Sequence, residues 1–142
     1  MTTIRQVVCN REPYFVRDSA TALDAARYMA ERNIGAVCIL DGDDTLRGIF
    51  SERDLLKRVV CEGRDPARTP VQEVMKKMPL AVITCDESPH EALEQMEQVG
   101  SRHLPVMDGQ RFVGMLSMRD IMRVEISDQG AELRLLHEYI QH

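Results

Sequence analysis

Apolar residues recur along the chain in two matching series. A short extended run, Tyr14-Phe15-Val16, precedes a stretch in which Leu23, Ala26, Met29 and Ala30 fall at helical spacing. Leu80–Thr84 precedes a second such stretch, carried by Ala92, Leu93, Met96 and Val99. Ser19 or Thr21 and Ser88 are N-cap candidates, and Pro89 suits a first helical turn. An apolar strand then follows, Ala36–Leu40 or Leu104–Met107, and each runs into Asp-Gly, a hairpin signal. The return strands are Leu46–Phe50 and Phe112–Leu116, and a second helix starts near Ser51 or Ser117. Each series therefore reads β-α-β-β-α. The prediction is an α+β fold in which helices pack on one side of small mixed sheets.

The two series are copies. Residues 34–58 and 101–123 pair Asp41-Gly42 with Asp108-Gly109, Gly48 with Gly114, Ser51 with Ser117, Arg53 with Arg119 and Asp54 with Asp120. The first copy has one extra residue in its hairpin turn, where insertions are tolerated. A repeat of this size means two supersecondary units that need each other to bury their apolar faces. The organisation expected is a first repeat over 1–66 with an N-terminal lead-in, a second over 67–127 with a linker helix, and a C-terminal amphipathic helix over 128–142. The linker helix is read over Val71–Lys77, opened by Pro70, ended by Pro79, and apolar at Val71, Val74, Met75 and Met78. Leu133, Leu136 and Ile140, widened by Leu135 and Tyr139, give the last helix an apolar face. Docking on its own domain and a homodimer contact are both open for that face.

Composition narrows the function. The 142 residues carry a net charge of −5, against a generic nucleic-acid or anionic-membrane binder, though a local basic pocket is compatible with it. No apolar run reaches the length of a membrane span, and MTTIRQVVCN lacks the apolar core of a signal peptide, so the expected setting is cytoplasmic. Cys9, Cys38, Cys61 and Cys85 form no CxxC and have no histidine at ligand spacing, so they read as reduced thiols and no metal site is expected. Met29 and Met96 are equivalent and read as core filler.

The repeated chemistry is G-h-h-S-x-R-D-h-h, with h apolar. Ser-x-x-Asp before an apolar run fits a capping box, which explains the serine and the acid without any ligand. The same residues fit a ribose-phosphate site. A helix N-terminus offers unpaired N–H groups to phosphate. Ser51 or Ser117 can donate to an anion, Asp54 or Asp120 can accept from a vicinal diol, and Arg53 or Arg119 offers a planar fork. A cap gives no reason for the arginine.

The double repeat, the RHLPVMDG string and the two G-h-h-S-x-R-D endings resemble a tandem cystathionine-β-synthase (CBS) domain pair, or Bateman module, of the stand-alone bacterial type. The resemblance covers nearly the whole chain. It implies two repeats related by a pseudo-twofold, with an adenosine nucleotide (AMP, ADP or ATP, with NAD or S-adenosylmethionine as alternatives) in clefts between them. It implies a regulatory energy or metabolite sensor rather than an enzyme, with no required cofactor. By resemblance Asp54 and Asp120 take the ribose hydroxyls and Ser51 and Ser117 lie by ribose and phosphate. Ile34, Gly35 and Ala36, with Ser101, Arg102 and His103, border the ligand; Met115 joins this set. The copies disagree here, since only the second has basic residues, Arg102 and His103, against Gly35 and Ala36. The expectation is that the Asp120 cleft is the tighter one for charged nucleotides.

A catalytic reading lacks support in the sequence. No HExxH, P-loop or GxGxxG is present, and the first repeat offers no histidine to its serine. The remaining alternative is a non-catalytic dimeric adaptor with vestigial clefts. A homodimer and an unidentified protein effector are the expected partners, with neither nucleic acid nor membrane among them.

Overall fold

The computed structural model describes residues 2–78 and 80–141, without the side chains of residues 131, 132, 134, 135 and 138–141. The role given to Pro79, the terminal His142, and the side chains of Leu135, Tyr139 and Ile140 on the tail face lie outside the described residues.

Both repeats follow the β-α-β-β-α order. The chain enters through α1 (Ile4–Cys9), then runs β1 (Phe15–Arg17), α2 (Ala22–Arg32), β2 (Ala36–Leu40) and β3 (Leu46–Ser51). A short helix α3 (Glu52–Asp54) continues as a π-helical segment, Leu55–Val60. After a 3₁₀ turn at Pro66–Arg68 come α4 (Val71–Val74) and β4 (Lys76–Lys77). The second repeat is β5 (Ile83–Thr84), α5 (Pro89–Val99), β6 (His103–Asp108), β7 (Arg111–Ser117) and α6 (Met118–Gln141).

Local chemistry sets these limits. Thr21, not Ser19, caps α2, in a reciprocal capping box with Asp24. Asn33 in the left-handed region ends that helix. Ser88 and Pro89 start α5, and Gly100, also left-handed, stops it. The second hairpin turns tightly, with Asp108 opposite Arg111 and Gly109 at positive φ. The first is longer and puts the positive φ on Asp44 instead of the glycine. On α2 the buried face is Ala22, Ala25 and Met29, while Ala30 is exposed, one position round from the face expected.

β1 pairs in parallel with β2, β2 antiparallel with β3, and β3 antiparallel with β4; the second sheet is β5-β6-β7 with the same senses. The segment read as helix to Lys77 stops at Val74, and Lys76–Lys77 joins the first sheet as an edge strand opposite Gly48 and Ile49. Every residue of β2 is buried, because both faces of the sheet are covered. Val37 and Ile39 face the helices of their own repeat, and Cys38 and Leu40 face a seam shared with Val82, Met107, Phe112 and Met115 of the other. Each such aliphatic side chain contributes on the order of 1.5–3 kcal/mol by its burial. The seam is what holds the two units together.

The lead-in helices are exchanged. Val71, Val74 and Met75, which precede the second repeat, complete the first core. Ile4 and Val8, which precede the first repeat, complete the second core. The matching glycines make room for them. A Cβ on Gly48 would fall on the Lys76 carbonyl oxygen and 2.7 Å from Met75 Sδ. A Cβ on Gly114 would lie 3.3 Å from Val8 Cβ. The tail does not form a separate helix: α6 runs unbroken through Gly130, with Leu133 and Leu136 exposed.

Candidate functional site

Sheet register builds the site. It sets Ala36 opposite Ser51 in the first repeat and His103 opposite Ser117 in the second. The start of each second strand therefore lies beside the end of its return strand, where the serine opens a helix. The capping box expected from Ser-x-x-Asp is present in both copies. Ser51 N–H and its hydroxyl donate to Asp54 Oδ2, both at 3.0 Å, and the Asp54 N–H donates back to Ser51 Oγ at 3.2 Å. Ser117 N–H donates to Asp120 Oδ2 at 2.8 Å, and the Asp120 N–H donates to Ser117 Oγ at 3.1 Å. The cap aims each carboxylate and leaves both aspartates nearly buried, Asp54 4% and Asp120 7% exposed. Arg53 and Arg119 take no part in the caps; both are exposed.

The rest of the two carboxylates' surroundings differ. Among the described residues, Asp54 Oδ1 has only Arg58, one turn on in the same helix, at 3.7 Å from its Nε. Asp120 is gripped from outside its repeat. Arg11, between α1 and β1, donates from Nη1 to Oδ1 and from Nη2 to Oδ2, both at 2.8 Å, and from Nη2 to the Met115 carbonyl oxygen at 2.7 Å. Burial alone pushes the Asp120 carboxyl upward; the hydrogen bonds from Arg11 and Ser117 outweigh it and hold the group below its ordinary range. The Arg11 guanidinium is raised in turn by the same bond.

The other expected site residues sort as follows. Gly35 is brought against both Glu52 and His103: a Cβ there would stand 3.2 Å from Glu52 Oε1 and 3.5 Å from His103 Cε1. His103 thus crosses from the second repeat to the first motif. Burial is the main cause that depresses its imidazole pKa, helped by Arg102 and opposed by Glu52 and Asp120. Ser101 is half-buried, and its hydroxyl donates to the His103 carbonyl at 2.8 Å. Arg102 is exposed, and its carbonyl accepts from the Met118 N–H at 2.8 Å, tying the start of β6 to the start of α6. Ile34 packs on the first core, and Ala36 is buried at 1% exposure. Met115 lies in the seam, where its sulfur accepts from the Cys38 thiol at 3.7 Å.

A cleft of about 180 Å³ opens between the repeats. Ile49 and Lys76 of the first sheet face Leu80, Ala81, Ser101 and His103 of the second repeat across it. That is below the roughly 300–1,000 Å³ of ordinary small-molecule sites. Two of its lining residues carry no local signal of that role: Lys76 falls in the segment expected to be helical and Ile49 in the apolar part of the motif. Arg11, which does not line it, sits in the lead-in before β1. Carrying the repeat upstream would have exposed Arg11: the offset of 67 that pairs Ala36 with His103 also pairs Val8 with Met75 and Arg11 with Met78. Among the described residues, no group of three or more His, Cys, Asp or Glu side chains could hold a metal ion. No helix among them is long and apolar enough to cross a membrane.

Comparison with known proteins agrees with this geometry. The CBS domain model matches residues 4–61 and again 69–127. A signal-transduction protein with CBS domains from Burkholderia ambifaria superposes with a TM-score of 0.82 at 34% identity, covering 90% of this chain and 96% of that one. The hypoxic response protein 1 of Mycobacterium tuberculosis is 32% identical over 87% of this chain and 85% of its own. The mitochondrial CBS domain-containing protein CBSX3 of Arabidopsis thaliana is 31% identical over 85% of this chain, which spans 60% of that protein's length. A Pyrobaculum aerophilum CBS domain protein complexed with AMP shares the fold, with a TM-score of 0.76 at 24% identity over 84% of this chain and 89% of that one.

Proposed function

The chain belongs to the CBS-domain family as a tandem pair, and we propose that it is a regulatory module that binds an adenosine nucleotide in clefts between its repeats. The observation that carries this reading is the pair of buried, cap-oriented carboxylates, Asp54 and Asp120, each at a helix start with an exposed arginine beside it. A vicinal diol is a natural donor pair for such a carboxylate, and the helix N-terminus suits a phosphate. Ser51 and Ser117 orient the aspartates, Arg53 and Arg119 meet phosphate, and Gly35 with Ile34 and Ala36 borders the base. Arg102 adds a cation to the second cleft where the first repeat has Gly35, so that cleft favours AMP, ADP or ATP over adenosine. The Pyrobaculum protein of this fold was solved with AMP, which makes AMP the first ligand to try; NAD and S-adenosylmethionine remain alternatives.

In this reading the module performs no chemistry. Ligand phosphates draw the Arg53- and Arg119-bearing helices together and change the surface offered to a protein effector, in a cytoplasmic setting. Leu56, Val60, Met122 and Ile126 occupy matching places on the two second helices, are each more than half exposed, and make that surface apolar. They are the face through which a homodimer forms. Leu56→Glu is then expected to halve the mass seen in sedimentation, and an unchanged mass would remove this face from the assembly.

The second reading, a dimeric adaptor with vestigial clefts, is favoured by one observation: both caps are complete without a ligand. A thermal-shift panel separates the two. A ligand that binds only the folded state raises the melting temperature with concentration. A rise with AMP, ADP or ATP supports the sensor, and no rise with any adenosine compound supports the adaptor.

A further inference from the structure

The Arg11–Asp120 contact has no counterpart in the first repeat. Position for position, Arg11 corresponds to Met78, a half-exposed apolar side chain that cannot pair with a carboxylate. Arg11 takes both Asp120 oxygens at 2.8 Å in a bidentate fork, the strong form of a charge-assisted hydrogen bond. It is also anchored to the Met115 carbonyl, on the strand that leads into the motif. With the Ser117 N–H already on Oδ2, the carboxylate has been supplied with the donors a ribose diol would bring. Asp54 keeps Oδ1 free of any hydrogen bond among the described residues, with Arg58 at 3.7 Å as its ion pair.

We propose that Arg11 is a latch on the second cleft, occupying the carboxylate that a nucleoside needs, so that a ligand enters there only by displacing it. The latch rests on the ribose role proposed for Asp120. Its consequence is selectivity. An uncharged nucleoside exchanges two bonds from a cationic fork for two from neutral hydroxyls and gains little. A phosphate-bearing ligand has Arg102 and Arg119 of the same repeat to offset the exchange, and the freed guanidinium adds one more cation to the cleft. The first cleft has no latch, so it discriminates less between adenosine and AMP.

The test uses isothermal titration of adenosine into the Asp54→Ala protein, in which only the second cleft remains, with and without Arg11→Ala. The latch predicts that removing Arg11 tightens adenosine binding by about tenfold, the scale of a hydrogen bond to a charged group. Arg11→Gln covers the case in which Arg11→Ala leaves the nearly buried Asp120 charge unpaired and the protein unfolded, and it should tighten binding in the same direction. The converse variant is Met78→Arg in the Asp120→Ala protein, at a surface position; adenosine should then bind the first cleft more weakly. Unchanged or weaker adenosine binding on loss of Arg11, with AMP binding still abolished by Asp54→Ala/Asp120→Ala, would overturn the latch and leave the nucleotide reading standing. No binding of AMP or adenosine by any variant, the parent included, would overturn the ribose assignment and the latch with it.

Discussion

Asp54 and Asp120 hold the same place in their repeats and keep different company. Both are turned by a serine cap and both are nearly buried. Asp54 leans on Arg58 of its own helix, which widens into a π turn just beyond it. Asp120 opens a long regular helix and is held by Arg11, which arrives with the exchanged α1. The difference begins with what each motif glycine accommodates. Gly48 lets α4 and β4 lie on the first return strand, and that segment brings Lys76 and Met78. Gly114 lets α1 lie on the second, and that segment brings Arg11. Duplication supplied two equal frames; the lead-in segments laid across them made the sites unequal.

Gly48→Ala fills the space that lets β4 join the first sheet. The new methyl falls on the Lys76 carbonyl and Met75 Sδ, so β4 must leave the sheet or the core must shift. A loss of about 1–3 kcal/mol is expected by denaturant unfolding. Gly42→Ala, with nothing within 4 Å, is the neutral control. A loss as small as the control's would mean that β4 is not held as described.

Exchanging the strand-start residues sharpens the comparison. Replacing Arg102 with Gly and His103 with Ala gives the second repeat the first repeat's residues. The AMP-to-adenosine affinity ratio of the second cleft should fall by about tenfold. An unchanged ratio would show that phosphate selectivity comes from elsewhere.

The smallest expected effect is acid sensitivity. Burial, aided by Arg102 and opposed by Glu52 and Asp120, holds His103 below its ordinary value of 6.5. The unfolded chain therefore binds the proton more readily. His103 contributes stability that is present above about 6.5 and lost as the pH falls through the depressed folded value. His103→Gln should flatten the melting temperature against pH in that range. Asp120, whose folded value is also depressed, acts only below its ordinary 3.8 and does not confuse the comparison. An unaltered slope would remove His103 as the source.

Much of the frame was legible because it rests on local rules. Ser88-Pro89, the Asp-Gly turns and the two G-h-h-S-x-R-D endings each commit a few adjacent residues to one geometry. The capping box was readable for the same reason. What stayed hidden is long-range. Lys76–Lys77 is too short and polar to read as a strand, and becomes one only because Gly48 exposes an edge. Arg11 is separated from Asp120 by nearly the whole chain, and nothing local marks it as a partner. The exchange of α1 and α4 between cores follows from packing of the two units, and no periodicity reports that. The apolar face of Leu133 and Leu136 reads as a tail helix of its own, yet α6 continues through Gly130; one helical glycine costs only about 1 kcal/mol, which twenty-four residues absorb.

On the proposed reading the two nucleotide clefts are of one kind and not equivalent, and titration of AMP into the Asp54→Ala and Asp120→Ala proteins decides it. Each should lose one site, and the remaining sites should differ, with the Asp54→Ala protein, which keeps Asp120, Arg102 and His103, binding AMP more tightly. Equal residual affinities would contradict the inequivalence, and no loss in either protein would contradict the assignment of ribose to these aspartates.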